Sequence, residues 1–325
     1  MFGFVKKTPA ARKSYGDCSG CSLCLLVCPV WRQSRDISLT PHGHAKALQH
    51  RNNAADVAAS VGHCSLCMAC EPVCPENIDI ISMILELRRQ LDAPIWLRDL
   101  QAQIQERAGH PVASVPSSST MLLPDVALND HTDTLARISA LLGINVSEDD
   151  GLDISLALES GAAIPEQRLK QFLEPLRRMK KIIVADGLLL RQLKQWLPHA
   201  NIIGLGEALS GHASVRRGLR STDLYVIEPR AYHSDYQRLV KHYDRLRAAH
   251  NCAFNLDLQR IAIPATVHGL SQRLGLAESN DDGQARWVLH GRDITRIVVE
   301  NLEDRAAFEK ISDVPVVHLA ELADD

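Results

Sequence analysis

Along this chain the apolar positions change their rhythm, and the change divides it in two. Ile80, Ile84, Leu87 and Leu91 recur at helical spacing behind Asp79, which predicts an amphipathic helix over 79–91 with an acid at its positive end. Its apolar side is expected to pack on the loops before it and keep water off them. Upstream, the 35 residues between Cys28 and Cys64 hold no β-branched run. They predict two short helices, around His44–His50 and Ala54–Val61, with Asn52 and Asn53 supplying the cap between them. Leu97–Arg107 continues the helical pattern, and Gly109–Ser119, rich in Pro and Ser, reads as a linker.

From Thr120 onward short apolar runs alternate with helical segments. Strands are predicted at Met121–Leu123, Lys181–Ala185, Asn201–Leu205, Asp223–Ile227, Arg260–Pro264, Arg286–His290, Arg296–Val299 and Val314–His318. Helices are predicted at Thr132–Leu142, Pro165–Met179, Leu188–Trp196, Arg230–Ala249, Val267–Leu274 and Arg305–Ile311. Such alternation predicts an α/β fold with a largely parallel sheet. Lys181-Ile-Ile-Val-Ala-Asp and Thr295-Arg-Ile-Val-Val-Glu share the sense of a strand, a polar turn and a helix, which points to two pseudo-repeats. The expected organisation is a mostly helical unit over 1–108, beginning with a basic arm over 1–16, then a linker over 109–119 and an α/β unit over 120–325.

Composition narrows this little. At 325 residues, 46% hydrophobic and 23% charged, the chain is an ordinary globular protein long enough for two domains. The net charge of −3 and the absence of any reader motif argue against nucleic-acid binding. Residues 1–60 are locally basic, with eight Lys or Arg against three Asp, a balance of +5. Such a face can steer an acidic partner or rest on an anionic membrane surface, but a solvated face around negative centres is the preferred reading. No apolar run approaches the ~20 residues that cross a bilayer, and Met-Phe-Gly-Phe-Val is too short for a secretory signal, so the expected location is cytoplasmic.

The cysteines change the picture. Cys18, Cys21, Cys24 and Cys28-Pro29 form one run of C-x2-C-x2-C-x3-C-P, and Cys64, Cys67, Cys70 and Cys74-Pro75 repeat it. Three cysteines two residues apart let one short loop wrap three corners of a cube, and the fourth sulfur must arrive from elsewhere. Each proline fixes φ and turns the chain away from the ligands. A zinc ribbon would show two C-x2-C pairs at wider separation, and a disulfide framework belongs to a short secreted chain. The doubled run is the spacing by which two-cluster ferredoxins hold cubane [4Fe–4S] centres, so two centres are expected. In those proteins the fourth cysteine of each run serves the other cluster. That resemblance implies Cys18, Cys21, Cys24 and Cys74 for the first centre, and Cys64, Cys67, Cys70 and Cys28 for the second. Cys252, the ninth cysteine, reads as a lone buried thiol.

With Ser38-Leu-Thr-Pro-His-Gly-His44, both runs make residues 15–92 resemble the helical two-cluster domain of the heterodisulfide reductase iron–sulfur protein. They also resemble the iron–sulfur subunits of glycolate, glycerol-3-phosphate and lactate oxidases. The rest looks like the cysteine-rich α/β domain that follows in several such subunits, from Leu122-Leu-Pro-Asp125 to Pro315-Val-Val-His-Leu-Ala-Glu-Leu322. Its Cys-Cys-Gly cysteines are missing: Ile183-Val-Ala-Asp186, Leu289-His290-Gly291 and Val298-Val-Glu-Asn301 stand in their places. The resemblance implies an electron-transfer subunit of a hetero-oligomer that relays electrons between a flavoprotein or other redox subunit and a quinone-linked or other carrier, with partner contacts at the inner face of a membrane. Lacking soft thiolates, the α/β unit is expected to bind no cluster and to dock partners.

Rival expectations are the iron–sulfur component of a hydrogenase or sulfur-oxidising complex, and a cluster-bearing scaffold or redox sensor. Scattered histidines, His212, His268, His290 and His318, read as surface or core residues, as do His42 and His44. Trp31 reads as packing, with shielding of a cluster edge as its functional alternative. Gly204-Leu-Gly206 is too little for a dinucleotide site, and with no P-loop or nucleophile elbow the chain lacks a catalytic residue of its own. The small residues Ser19, Gly20, Ser22, Ser65 and Ala69 allow close approach to the sulfurs, and low potentials are expected.

Overall fold

A computed structural model describes residues 12–91, 95–109, 119–257, 260–273 and 282–324. The first unit is mostly helical, as the pattern predicts. The amphipathic helix runs over Ile80–Arg89, with Asp79 accepting from Ser82 N–H as its cap. Its apolar face closes a core with Val61, Leu66, Met68 and the thiols of Cys64 and Cys70, and Cys18, Cys24 and Cys74 pack at the edge. The helix therefore covers both cysteine loops. The helix expected around His44–His50 spans Pro41–Gln49, and Ala54–Val61 divides into a 3-10 turn, Ala55–Val57, and the α-turn Ala58–Val61. Leu97–Arg107 lies within the helix Ile95–Ala108. Most of the basic arm and of the expected linker, residues 1–11 and 110–118, lie outside the described residues.

The α/β part holds two four-stranded parallel sheets. The first contains β1 (Thr120–Leu123), β2 (Asn145–Val146), β3 (Lys181–Val184) and β4 (Ile202–Gly204), in the order β2-β1-β3-β4. The second contains β5 (Asp223–Val226), β6 (Ala253–Phe254), β7 (Arg296–Val299) and β8 (Val316–His318), in the order β6-β5-β7-β8. The order is the same in both, and Lys181–Val184 and Arg296–Val299 occupy equivalent places. Their register is offset by one residue from the pairing of Lys181 with Thr295.

Strand alternation explains the continuous apolar runs. Leu122 and Ile183 join Tyr225 and Val298 in one core shared by the two sheets. Met121, Leu123, Ile182 and Val184 face the opposite way into a second core, and Leu224, Val226, Ile297 and Val299 into a third.

Four expectations fail here in whole or in part. Arg286–His290 is no strand; it falls in and just beyond the helix Asp282–Leu289, because Gln284, Ala285 and Val288 point inward at helical spacing. Arg260–Pro264 pairs through one isolated bridge, Leu256 to Ala262, with Arg260 at φ 60° and Pro264 unable to donate. The long helix over Arg230–Ala249 is two helices, Pro229–Ser234 and Tyr236–His250, separated at Asp235. Val267–Leu274 shrinks to Leu270–Arg273, with Leu274 outside the described residues.

The two parts interlock. Leu188, on the helix Gly187–Trp196, belongs to the core under the cysteine loops. On the same helix Arg191 donates to Glu71 at 2.6 and 3.2 Å and to Asp79 at 2.9 Å. A Cβ on Gly187 would lie 2.3 Å from the backbone nitrogen of Ala231, so glycine alone permits the helices Gly187–Trp196 and Pro229–Ser234 to meet there.

Candidate metal centre

Each cysteine run bends in the same way around its second cysteine. Gly20 and Ser22 flank Cys21 at φ 77° and 64°, and Leu66 and Met68 flank Cys67 at φ 52° and 63°. Left-handed backbone is costly for leucine and methionine, and burial of both side chains over-determines it. Alternation between right- and left-handed residues turns successive N–H groups inward, an arrangement suited to an anionic centre. At the first run, Lys46 donates to the Cys18 carbonyl at 3.1 Å, and Gln49 donates to those of Tyr15, Gly16 and Cys18 at 3.0–3.1 Å. The chain entering the loop is thereby tied through its carbonyls to the helix Pro41–Gln49.

The sulfurs group across the runs. Cys18, Cys21 and Cys24 line one hollow together with Cys74, which comes from the second run, and with His42, Ile80 and Met83. Cys28 of the first run lies in the electrostatic field of Cys64 and Cys67, and Cys70 in that of the same two. Cys28 caps the helix Pro29–Ser34, and its sulfur faces the N–H groups of Val30 and Trp31. Leu66 N–H faces Cys64, and Ala69 N–H and the Ser65 hydroxyl face Cys67. Burial pushes the Cys64 thiol up to about 11 and those of Cys24 and Cys28 up to about 12. Iron must therefore displace protons to take these thiolates.

The two groups differ in exposure. In the first, Cys21 is exposed and Cys18, Cys24 and Cys74 are half-buried. In the second, Cys28, Cys64 and Cys70 are buried and Cys67 is half-buried. Near Cys64, Arg88 Nε is buried without a hydrogen-bond partner. The open hollow and the inward N–H groups fit iron–sulfur centres.

Residues invisible to the spacing complete the site. His42 Nδ1 stands 4.0 Å from Cys24 Sγ, and burial, then Lys46, lowers its pKa and keeps the ring neutral. Arg88, Arg230 and His233 donate to backbone carbonyls of the second loop, at Cys64, Ser65 and Cys67. Trp31 is half-buried with the Arg35 guanidinium 5.9 Å from its ring centroid. His44 is fully buried with Nε2 3.0 Å from Ser60 Oγ. The other histidines are not brought together: His212 meets Ser214, His268 meets Glu303, His318 meets Glu300 and Ala320, and His290 is exposed. Cys252 is buried in the core shared by the two sheets.

A second concavity, a cavity of about 220 Å3, opens where β1, β3, β5 and β7 end. The helix caps that follow these strands, Asp125, Asp186, Glu228 and Asn301, stand at its wall. Asp186 and Asn301 close the segments 183–186 and 298–301, where the resemblance expects cysteines. Desolvation, reinforced by Glu303, Asp186 and Glu228, pushes the Asp125 carboxyl up to about 7, against the opposing pull of Leu128 N–H. An unfolded Asp titrates near ~3.9. Its stabilisation is thus complete below about pH 4 and is lost as pH rises toward about 7. Asp125→Asn keeps the cap and removes the charge. Urea unfolding across pH should show the variant gaining on the parent between about pH 4 and 7, then holding a constant lead; a lead independent of pH would refute this.

Residues 14–78 match the family model of the 4Fe-4S dicluster domain. No curated protein and no solved structure matches the chain at a significant level. Among the described residues no helix is long and apolar enough to cross a membrane. With a dicluster domain over residues 14–78 and an α/β region of parallel sheets behind it, this is an iron–sulfur protein.

Proposed function

We propose that the chain is the electron-transfer subunit of a larger oxidoreductase and carries two [4Fe–4S] centres. Cys18, Cys21, Cys24 and Cys74 hold the first, and Cys28, Cys64, Cys67 and Cys70 hold the second. The observation that carries this reading is the hollow that draws three thiols from one run and its fourth from the other. Such centres supply one-electron carriers when bound.

The chain's own residues do the rest. The left-handed loops aim N–H groups at the sulfurs, the helix Ile80–Arg89 excludes water, and His42 stays neutral beside Cys24. Exposed Cys21, with Leu23 and Leu26 38% and 66% exposed nearby, gives the first set an edge open to contact by a flavoprotein or another redox protein. Residues 1–108 form the conducting unit, and residues 120–325 hold the partner through which electrons pass toward a quinone-linked or other carrier.

Anaerobically purified protein should contain about eight iron and eight sulfide per chain, and on reduction should give two interacting low-temperature EPR signals. About four iron with a single signal, or zinc in place of iron, would overturn the reading.

A further inference from the structure

Two buried guanidinium groups are pressed against the second cysteine loop, and the first loop has no counterpart among the described residues. Arg88, on the helix Ile80–Arg89, donates to the Cys64 carbonyl at 2.6 Å and to the Val61 carbonyl at 3.3 Å. Arg230, from the α/β region, donates to the Ser65 carbonyl at 2.6 Å, between Cys64 and Cys67. Both side chains are at most 5% exposed. At the first loop the comparable cation is Lys46, which is only half-buried, so water screens it.

The buried pair has counter-charges. Arg230 makes a two-point bond to Glu159 at 2.7 and 3.0 Å, and Arg88 lies 3.7 Å from the same carboxylate. Glu71 stands beside Cys70 and is itself paired with Arg191 and Arg12. Position decides between them. The guanidinium nitrogens reach the peptide groups that link the ligands. Arg88 and Arg230 together bring two positive charges against the single carboxylate of Glu159. In a poorly screened interior such a field acts strongly on added negative charge. Reduction adds one negative charge. Burial of Cys28, Cys64 and Cys70 opposes reduction, and the two cations answer it from within the same interior.

We propose that Arg88 and Arg230 hold the reduction potential of the second centre above that of the first, so that electrons run inward and gather against the α/β region. This rests on the two-centre reading above. One electron leaves the first centre for each that arrives at the second, and no bond or proton changes hands. The two arginines are positioning residues, because they act through the loop that carries the ligands.

The test is an anaerobic dithionite titration of the full chain, followed by low-temperature EPR. Cys21→Ser assigns the signals by removing that of the first centre. In the parent chain the second centre should be reduced first. Arg230→Gln and Arg88→Gln should each lower its midpoint by about 59 mV, a tenfold change in the reduction equilibrium, and leave the first in place. Arg230→Lys, which keeps the charge, should restore the midpoint. A parent chain whose first centre reduces more easily, or arginine variants that shift both midpoints equally or neither, would overturn the inference with eight iron still bound. A chain with four iron would instead overturn the two-centre reading. Because the order of reduction in the parent needs no arginine variant, the inference stays open to refutation if Arg88→Gln fails to fold.

Discussion

Cys74→Ser is expected to extinguish the signal that Cys21→Ser extinguishes, although the two residues belong to different runs. Cys74 lines the hollow with Cys18, Cys21 and Cys24, so its loss should remove the first centre and halve the iron from about eight to about four per chain. Cys67→Ser should remove the other signal. If Cys74→Ser and Cys67→Ser instead removed the same one, each run would be serving its own centre and the crossed arrangement would be wrong.

Arg191→Ala is expected to cost about 3 kcal/mol of stability, the scale for breaking a buried ion pair from one side. Arg191 is the main tie from the α/β part to Glu71 and Asp79, and the Glu71 side chain it would strand is 5% exposed and also accepts Ile81 N–H at 3.1 Å. Arg12 also reaches Glu71, but from the surface and with a half-exposed side chain. The control is Arg178, whose 3.0 Å pair with Glu174 is exposed on both sides, so Arg178→Ala should cost no more than about 0.5 kcal/mol. Anaerobic urea unfolding compares the two. Equal costs would show that the interlock of the two parts contributes nothing measurable.

The sequence made the chemistry more legible than its setting. Cysteine spacing is rigid because sulfur–iron geometry is rigid, so the two runs of thiols stood out before any fold was known, and their exchange between runs was implied by the resemblance. Strands with both faces covered also announce themselves, as Lys181–Val184 and Arg296–Val299 do. Short elements do not. Asn145–Val146 and Ala253–Phe254 hold too few residues to show a period, and Trp287-Val-Leu reads equally as strand or helix. Cations were harder still. Arg88 beside Arg89 looks like an ordinary basic helix end, yet it lies four residues beyond Ile84, on the apolar stripe, and that misplaced charge was the available signal. For Arg230 and His233 there was none, because the loop they grip lies 165 and 166 residues away.

That separation governs how the molecule must be built. On the ribosome both cysteine loops emerge long before the helix Pro229–Ser234, and until that segment docks they are equally open to whatever delivers iron and sulfide. In the folded chain Cys64 and Cys70 are buried while Cys21 still faces water. On the two-centre reading, the inner centre would have to be installed before closure, whereas the outer one could be replaced in the finished protein after oxidative damage.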